Sequence, residues 1–171
     1  MNTRLATLVL LIAVLALFRL FPHPPNITPI AAMALFGGAY FTNRLAAFLL
    51  PLAALLLSDI LLGFHDAMSF VYTAFVITVM IGWWLRAHPT VGYVFSAALM
   101  SSVLFFVVTN FGAWLTLELY PKTVEGLWSA YIAGIPFFRN TIMGDLGYTL
   151  LVFGGFWTIE RSVPSVRLGT C

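Results

Sequence analysis

Arg139, Asn140 and Asp145 stand together in the last apolar run of the chain, within the stretch 136–149 (PFFRNTIMGDLGYT). An ionisable group at membrane depth costs at least ~2.5 kcal/mol on insertion scales, so such groups are normally retained to face a cavity, a partner or a ligand. At helical spacing Thr141, Asp145, Tyr148 and Thr149 share one stripe, while Arg139 lies on another face. Arg139 offers a planar fork for a carboxylate, a phosphate or an amide-rich ligand. Asp59 is its expected protein partner, because an intramembrane charge pair relieves both burial costs.

Other candidate binding residues fall near the same end of their segments. His23 and Asn26 lie in the first loop, His65 and Asp66 follow Asp59 in the second, and Tyr72 is one turn into the next run. Asn110 and Trp114 close the run before Arg139. Asp59, Asn110, Asn140 and Asp145 supply polar contacts, and Tyr72 and Trp114 supply flat apolar surface, as a small-molecule site requires. Trp83, Trp84 and Trp128 fit lipid-interface anchors instead. For Asn110 a helix–helix hydrogen bond is an equal alternative.

Metal chemistry finds little support. His23, His65 and His88 have no paired spacing, although His23 or His65 could serve as an axial ligand to a metal already held in a cofactor. No metal site and no cofactor of the chain's own is expected. Enzyme signatures are absent as well: there is no nucleotide-binding glycine loop, no HExxH, no GxSxG and no paired-aspartate diphosphate motif. Ser58 beside Asp59 lacks a histidine base, so a non-catalytic role is expected.

The elements that must position these residues follow from composition. Of 171 residues, 61% are hydrophobic and 8% charged, against about 25% charged in a soluble domain, so the chain is an integral membrane protein of one domain. A net charge of +2 without a basic block excludes a nucleic-acid partner. The sole cysteine, Cys171, permits neither an internal disulfide nor a cysteine metal cluster.

Runs near the ~20 residues needed to cross hydrocarbon mark six spans in an all-α bundle, at about 5–21, 29–41, 45–62, 68–86, 91–117 and 139–160. The first begins behind Arg4 like a signal peptide, but no small-residue cleavage site precedes Pro22, which reads as an uncleaved helix. The second is short enough to be a buried or re-entrant helix, and Ala31, Ala34 and Gly38 let neighbours approach closely. Pro51 is an expected kink in the third. Residues 127–138 read as an interfacial segment lying against the bundle before the last span. With both termini cytoplasmic, Arg4, Arg44, Arg86, Arg161 and Arg167 are inside and Arg19, Lys122 and Arg139 outside, as the positive-inside rule asks. Leaving out the second run as a span gives the same five-to-three count with the N-terminus outside, so charge orients the C-terminal part and leaves the first helix open.

Several motifs carry a resemblance. They are residues 26–41 (NITPIAAMALFGGAYF), Pro51 with Ser58-Asp59 through Gly63, Thr109-Asn110-Phe111-Gly112-Ala113-Trp114, Tyr120-Pro121-Lys122, and Pro136 through Thr141 with Gly144-Asp145. The ordered set resembles a family of small bacterial inner-membrane proteins without assigned function. More distantly it is similar to the substrate-binding S components of energy-coupling-factor vitamin transporters, with the solitary cobalamin-uptake type nearest. That resemblance implies a six-helix bundle whose vitamin-sized site opens outward, taking up a small water-soluble compound such as a corrinoid, with an energising transporter module as a possible partner. It also implies ligand roles for Asp59, Tyr72 and Arg139. The cobalt-binding cysteine of that type has no counterpart, and the small-residue pair that docks the energising subunit is not visible in the first helix. Two other classes stand beside this one: a structural or assembly subunit of a membrane complex, and a lipid-modifying enzyme using Asp59, Asp145 and His65.

Overall fold

The computed structural model describes residues 3–64 and 66–167. Its helices are α1 (Thr3–Phe18), α2 (Ile30–Tyr40), α3 (Arg44–Leu62), α4 (Met68–Leu85), α5 (Val91–Thr116) and α6 (Val124–Ser162), followed by a 3-10 turn at Pro164–Val166. Among the described residues there is no strand. Four helices, α3 to α6, are long and apolar enough to cross a membrane, and α1 and α2 are shorter. Large apolar side chains such as Leu10, Leu45 and Leu61 stand exposed along them, as expected of a membrane-embedded protein.

Local chemistry sets the helix ends. Asn43 caps α3 by accepting from the Ala46 amide at 3.2 Å, and Thr123 caps α6 by accepting from Gly126 at 3.2 Å. Gly63 closes α3 at φ 97°, a conformation that costs glycine no Cβ clash, and its N–H donates to the Asp59 carbonyl at 2.8 Å.

The centre of the bundle is α2. Its residues from Ile30 to Gly38 are all buried, and it packs on α1, α3, α4, α5 and α6. A helix apolar all round must be enclosed, and small residues make that possible. A Cβ on Gly38 would sit 2.2 Å from the Val79 carbonyl oxygen, and one on Gly82 would sit 2.3 Å from that of Leu35, so α2 and α4 meet backbone to backbone. Pro51, inside α3, fills the space opposite Gly37. Phe36 lies edge-on to Phe153 and Phe156 of α6, at 5.6 and 5.5 Å.

The apolar runs read from the sequence coincide with helices α1 to α5 to within a turn at each end, though only α3 to α5 of these are long and apolar enough to cross a membrane. The last run does not coincide with its helix. The interfacial segment expected at 127–138 is the first half of α6, which continues through Pro136 for 39 residues, or ~58 Å at 1.5 Å per residue. Proline removes one ladder hydrogen bond, but both halves of α6 are held by the same neighbour. The Tyr131 hydroxyl donates to the Val107 carbonyl at 2.9 Å, and the Phe106 ring lies 5.7 Å from Tyr131 and 4.6 Å from Phe138.

Arginines gather at the end of the bundle where α1 starts and α6 finishes. Arg4 pairs with Glu160 at 2.5 Å and donates to the Val166 carbonyl at 2.8 Å, and Arg167 donates to the Glu160 carbonyl at 2.9 Å. Arg86 donates to the carbonyls of Gly38, Ala39 and Phe41, satisfying the C-terminus of α2. Arg44 lies 4.7 Å from the Trp83 ring centroid, a cation–π contact.

Candidate functional site

At the opposite end, where α2 begins, the helices diverge around a cavity of about 460 Å³. Arg19 stands at its edge from the turn after α1. Asn26 and Thr28 come from the first loop, Ile30 and Ala31 from the start of α2, and Ala67 and Val71 from the start of α4. Phe105, Thr109 and Asn110 of α5 face Gly134, Phe137, Thr141 and Asp145 of α6 across it. Apolar surface predominates, with a polar minority, as in small-molecule sites.

The α5–α6 wall is shaped by close packing. Asn110 donates to the Phe106 carbonyl at 2.8 Å, and its Oδ1 occupies the space that a Cβ on Gly134 would take, at 2.3 Å. Gly144 does the same for the first loop, since a Cβ there would lie 3.0 Å from the Ile27 Cα. Asn26 adopts φ 65°, a left-handed turn that asparagine tolerates better than most residues. Of the stripe expected on α6, Thr141, Asp145 and Thr149 are buried and Tyr148 is half-buried. The Asp145 carboxylate accepts from the Ser102 hydroxyl at 2.6 Å.

A second cluster adjoins the cavity through Arg19. This guanidinium pairs with Asp59 and donates to the Ser58 hydroxyl at 2.5 Å, and Tyr72 donates to the other Asp59 oxygen at 2.8 Å. The Asp59–Arg139 pair expected from the sequence is therefore not formed. Arg19 ends α1 beside the last turn of α3, whereas Arg139 is exposed on the outer face of α6.

The remaining candidates are dispersed. Asn26, Asn110 and Asp145 line the cavity, and Asp59 and Tyr72 stand behind Arg19. Asn140 donates to the Pro25 carbonyl at 3.0 Å and so ties α6 to the first loop. Trp114 donates to the Pro121 carbonyl at 2.9 Å, in the turn between α5 and α6, and does not line the cavity. His23 places Nδ1 3.1 Å from the Pro24 carbonyl, outside the lining. His65 lies outside the described residues. Among the described residues no group of three His, Cys, Asp or Glu side chains is placed to hold a metal ion.

Sequence reasoning missed Arg19, Thr109 and Ser102 as parts of the site, and had Thr141 only as a member of the α6 stripe. Arg19 had a signal, since it is a cation at the end of an apolar run on the same side as Asp59. Ser101-Ser102 in the middle of α5 was another, because hydroxyls inside a span seek a partner.

A family model matches residues 1–166. The chain belongs to DUF6580, a family of unknown function. No curated protein and no solved structure matches it. The cavity and the Arg19 cluster of this DUF6580 chain are therefore read from their own chemistry.

Proposed function

We propose that the chain is the substrate-binding component of a membrane transporter that takes up a small water-soluble compound. The observation that carries this reading is the cavity at the start of α2, mostly apolar and edged by Arg19, Asn26, Asn110 and Asp145. In this reading all six helices are embedded in a bacterial inner membrane, with α1 and α2 completing the bundle and both termini cytoplasmic. The gathering of Arg4, Arg44, Arg86 and Arg167 at the end away from the cavity supports that orientation. A volume of about 460 Å³ suits a one- or two-ring compound. Energy comes from a partner module, or transport is a slow facilitated step. An assembly subunit needs no cavity of this composition, and of Asp59 and Asp145, which a lipid-modifying enzyme would use together, only Asp145 lines it.

Thermal unfolding of the purified full chain against a library of water-soluble vitamins and metabolites tests the proposal. A true ligand binds only the folded state and stabilises it by about 2.7 kcal/mol at a hundredfold excess over Kd. The shift is expected to vanish in Ala113→Phe, which fills the cavity. A library with no hit, or hits indifferent to Ala113→Phe, would refute the reading.

A further inference from the structure

One carboxyl on the cavity wall has no ion-pair partner among the described residues. Arg19 is matched by Asp59, so that pair adds no net charge to the wall. Asp145 is 4% exposed and also lines the cavity, yet neither ion pair among the described residues includes it. Its one hydrogen-bond donor among those residues is the Ser102 hydroxyl, which reaches Oδ2 and leaves Oδ1 without a protein donor. The charged form of a buried carboxyl is costly without a cation beside it, and a cationic group bound against it removes that cost.

We infer that the ligand of this cavity is a small organic cation whose N–H group rests on Asp145. This deepens the transport reading and depends on it. The rest of the wall fits such a ligand. Phe105 and Phe137 line the same wall and supply aromatic surface for a cation and its apolar body. At the other edge, Nη1 carries all the hydrogen bonds that Arg19 makes among the described residues, so its Nε–H and Nη2–H donors have no protein acceptor there. A ligand with a neutral acceptor at its far end, such as a ring nitrogen or a carbonyl, meets that edge. An anionic ligand would find no unmatched cation on this wall, because Arg19 is already paired with Asp59. The chemistry selected is a primary or secondary amine, or an amidinium, on a one- or two-ring frame.

Matched probes test the charge directly. The full chain in detergent is titrated with 3-(aminomethyl)pyridine, 3-pyridinemethanol and nicotinate, and with benzylamine, benzyl alcohol and benzoate, while Tm is followed. The inference expects a dose-dependent rise in Tm with the amines and none with the alcohols or acids. In Asp145→Asn the amine response is lost, while the unliganded Tm stays at or above that of the wild type, because a neutral amide relieves an unpaired buried charge. A fall in the unliganded Tm of Asp145→Asn would make Asp145 a structural partner of Ser102 and overturn the inference. So would a response to the alcohol or acid that equals or exceeds the response to the amine; the transport reading would survive that result. Silence from all six probes also overturns the inference, and only failure of the wider metabolite screen removes the transport reading with it.

Discussion

Arg19 and Asp59 form an ion pair that joins the end of α1 to the last turn of α3, with side-chain exposures of 11% and 4%. Tyr72 of α4 donates to the same carboxylate, so three helices meet on Asp59 beside the cavity. Breaking a buried pair from one side strands the other charge, at roughly 3–5 kcal/mol, whereas removing both partners costs less. Arg19→Gln and Asp59→Asn are each expected to destabilise strongly, and the double variant to be milder than their sum. Arg139→Gln, on an exposed side chain, is expected to stay within about ±0.5 kcal/mol of wild type. A thermal-unfolding double-mutant cycle checks both; additive singles would mean that the pair does not form.

Tyr72→Phe isolates the third member of that cluster. It removes one hydrogen bond to a charged group and keeps the ring, for an expected loss of about 1.5–3 kcal/mol. Unfolding of the single variant measures it, and an unchanged midpoint would contradict the contact.

The enclosure of α2 gives a steric prediction. Gly38→Ala drives a methyl against the Val79 carbonyl, and Gly82→Ala drives one against the Leu35 carbonyl, both of them backbone atoms that cannot rotate away. Overpacking of this kind costs typically about 1–3 kcal/mol. Gly154→Ala on α6 meets nothing within 4 Å and is the control, expected to unfold like wild type or slightly later.

The opposite end of α2 depends on Arg86, which serves three of its terminal carbonyls at once. Arg86→Ala leaves those acceptors without their donor, and hydrogen bonds to a charged group are worth about 1.5–3 kcal/mol each. Arg86→Lys is expected to recover only part of the loss, because an ammonium cannot spread a planar fork over separated oxygens. Full rescue by lysine, read as Tm, would show that charge alone matters.

Much of this architecture was legible in the sequence because hydropathy and proline-rich turns determine where apolar helices start and stop. The burial of α2 was legible too, from its shortness and its alanines and glycines. Pairing between distant helix ends was not. The sequence pointed to Arg139 as the partner of Asp59, and only the packing of α1 beside α3 brings Arg19 there instead. The continuity of α6 was hidden by Pro136, whose local preference is overridden by the α5 surface that holds both halves. Trp114 looked like ligand surface because its sequence does not reveal the Pro121 carbonyl one turn away in space.

The central claim, a cavity open to the outer face for a small solute, is tested most directly by thiol accessibility. In a Cys171→Ser background, Ala113→Cys places a thiol on the cavity wall and Ala39→Cys places one in the recess near Arg4 and Arg86 at the other end. Whole cells are treated with a membrane-impermeant maleimide. The account predicts labelling at position 113 in intact cells, slowed by any compound that raises Tm, and labelling at position 39 only after permeabilisation. A thiol at 113 that stays unreactive in intact cells, or one that reacts only once the membrane is breached, would contradict it.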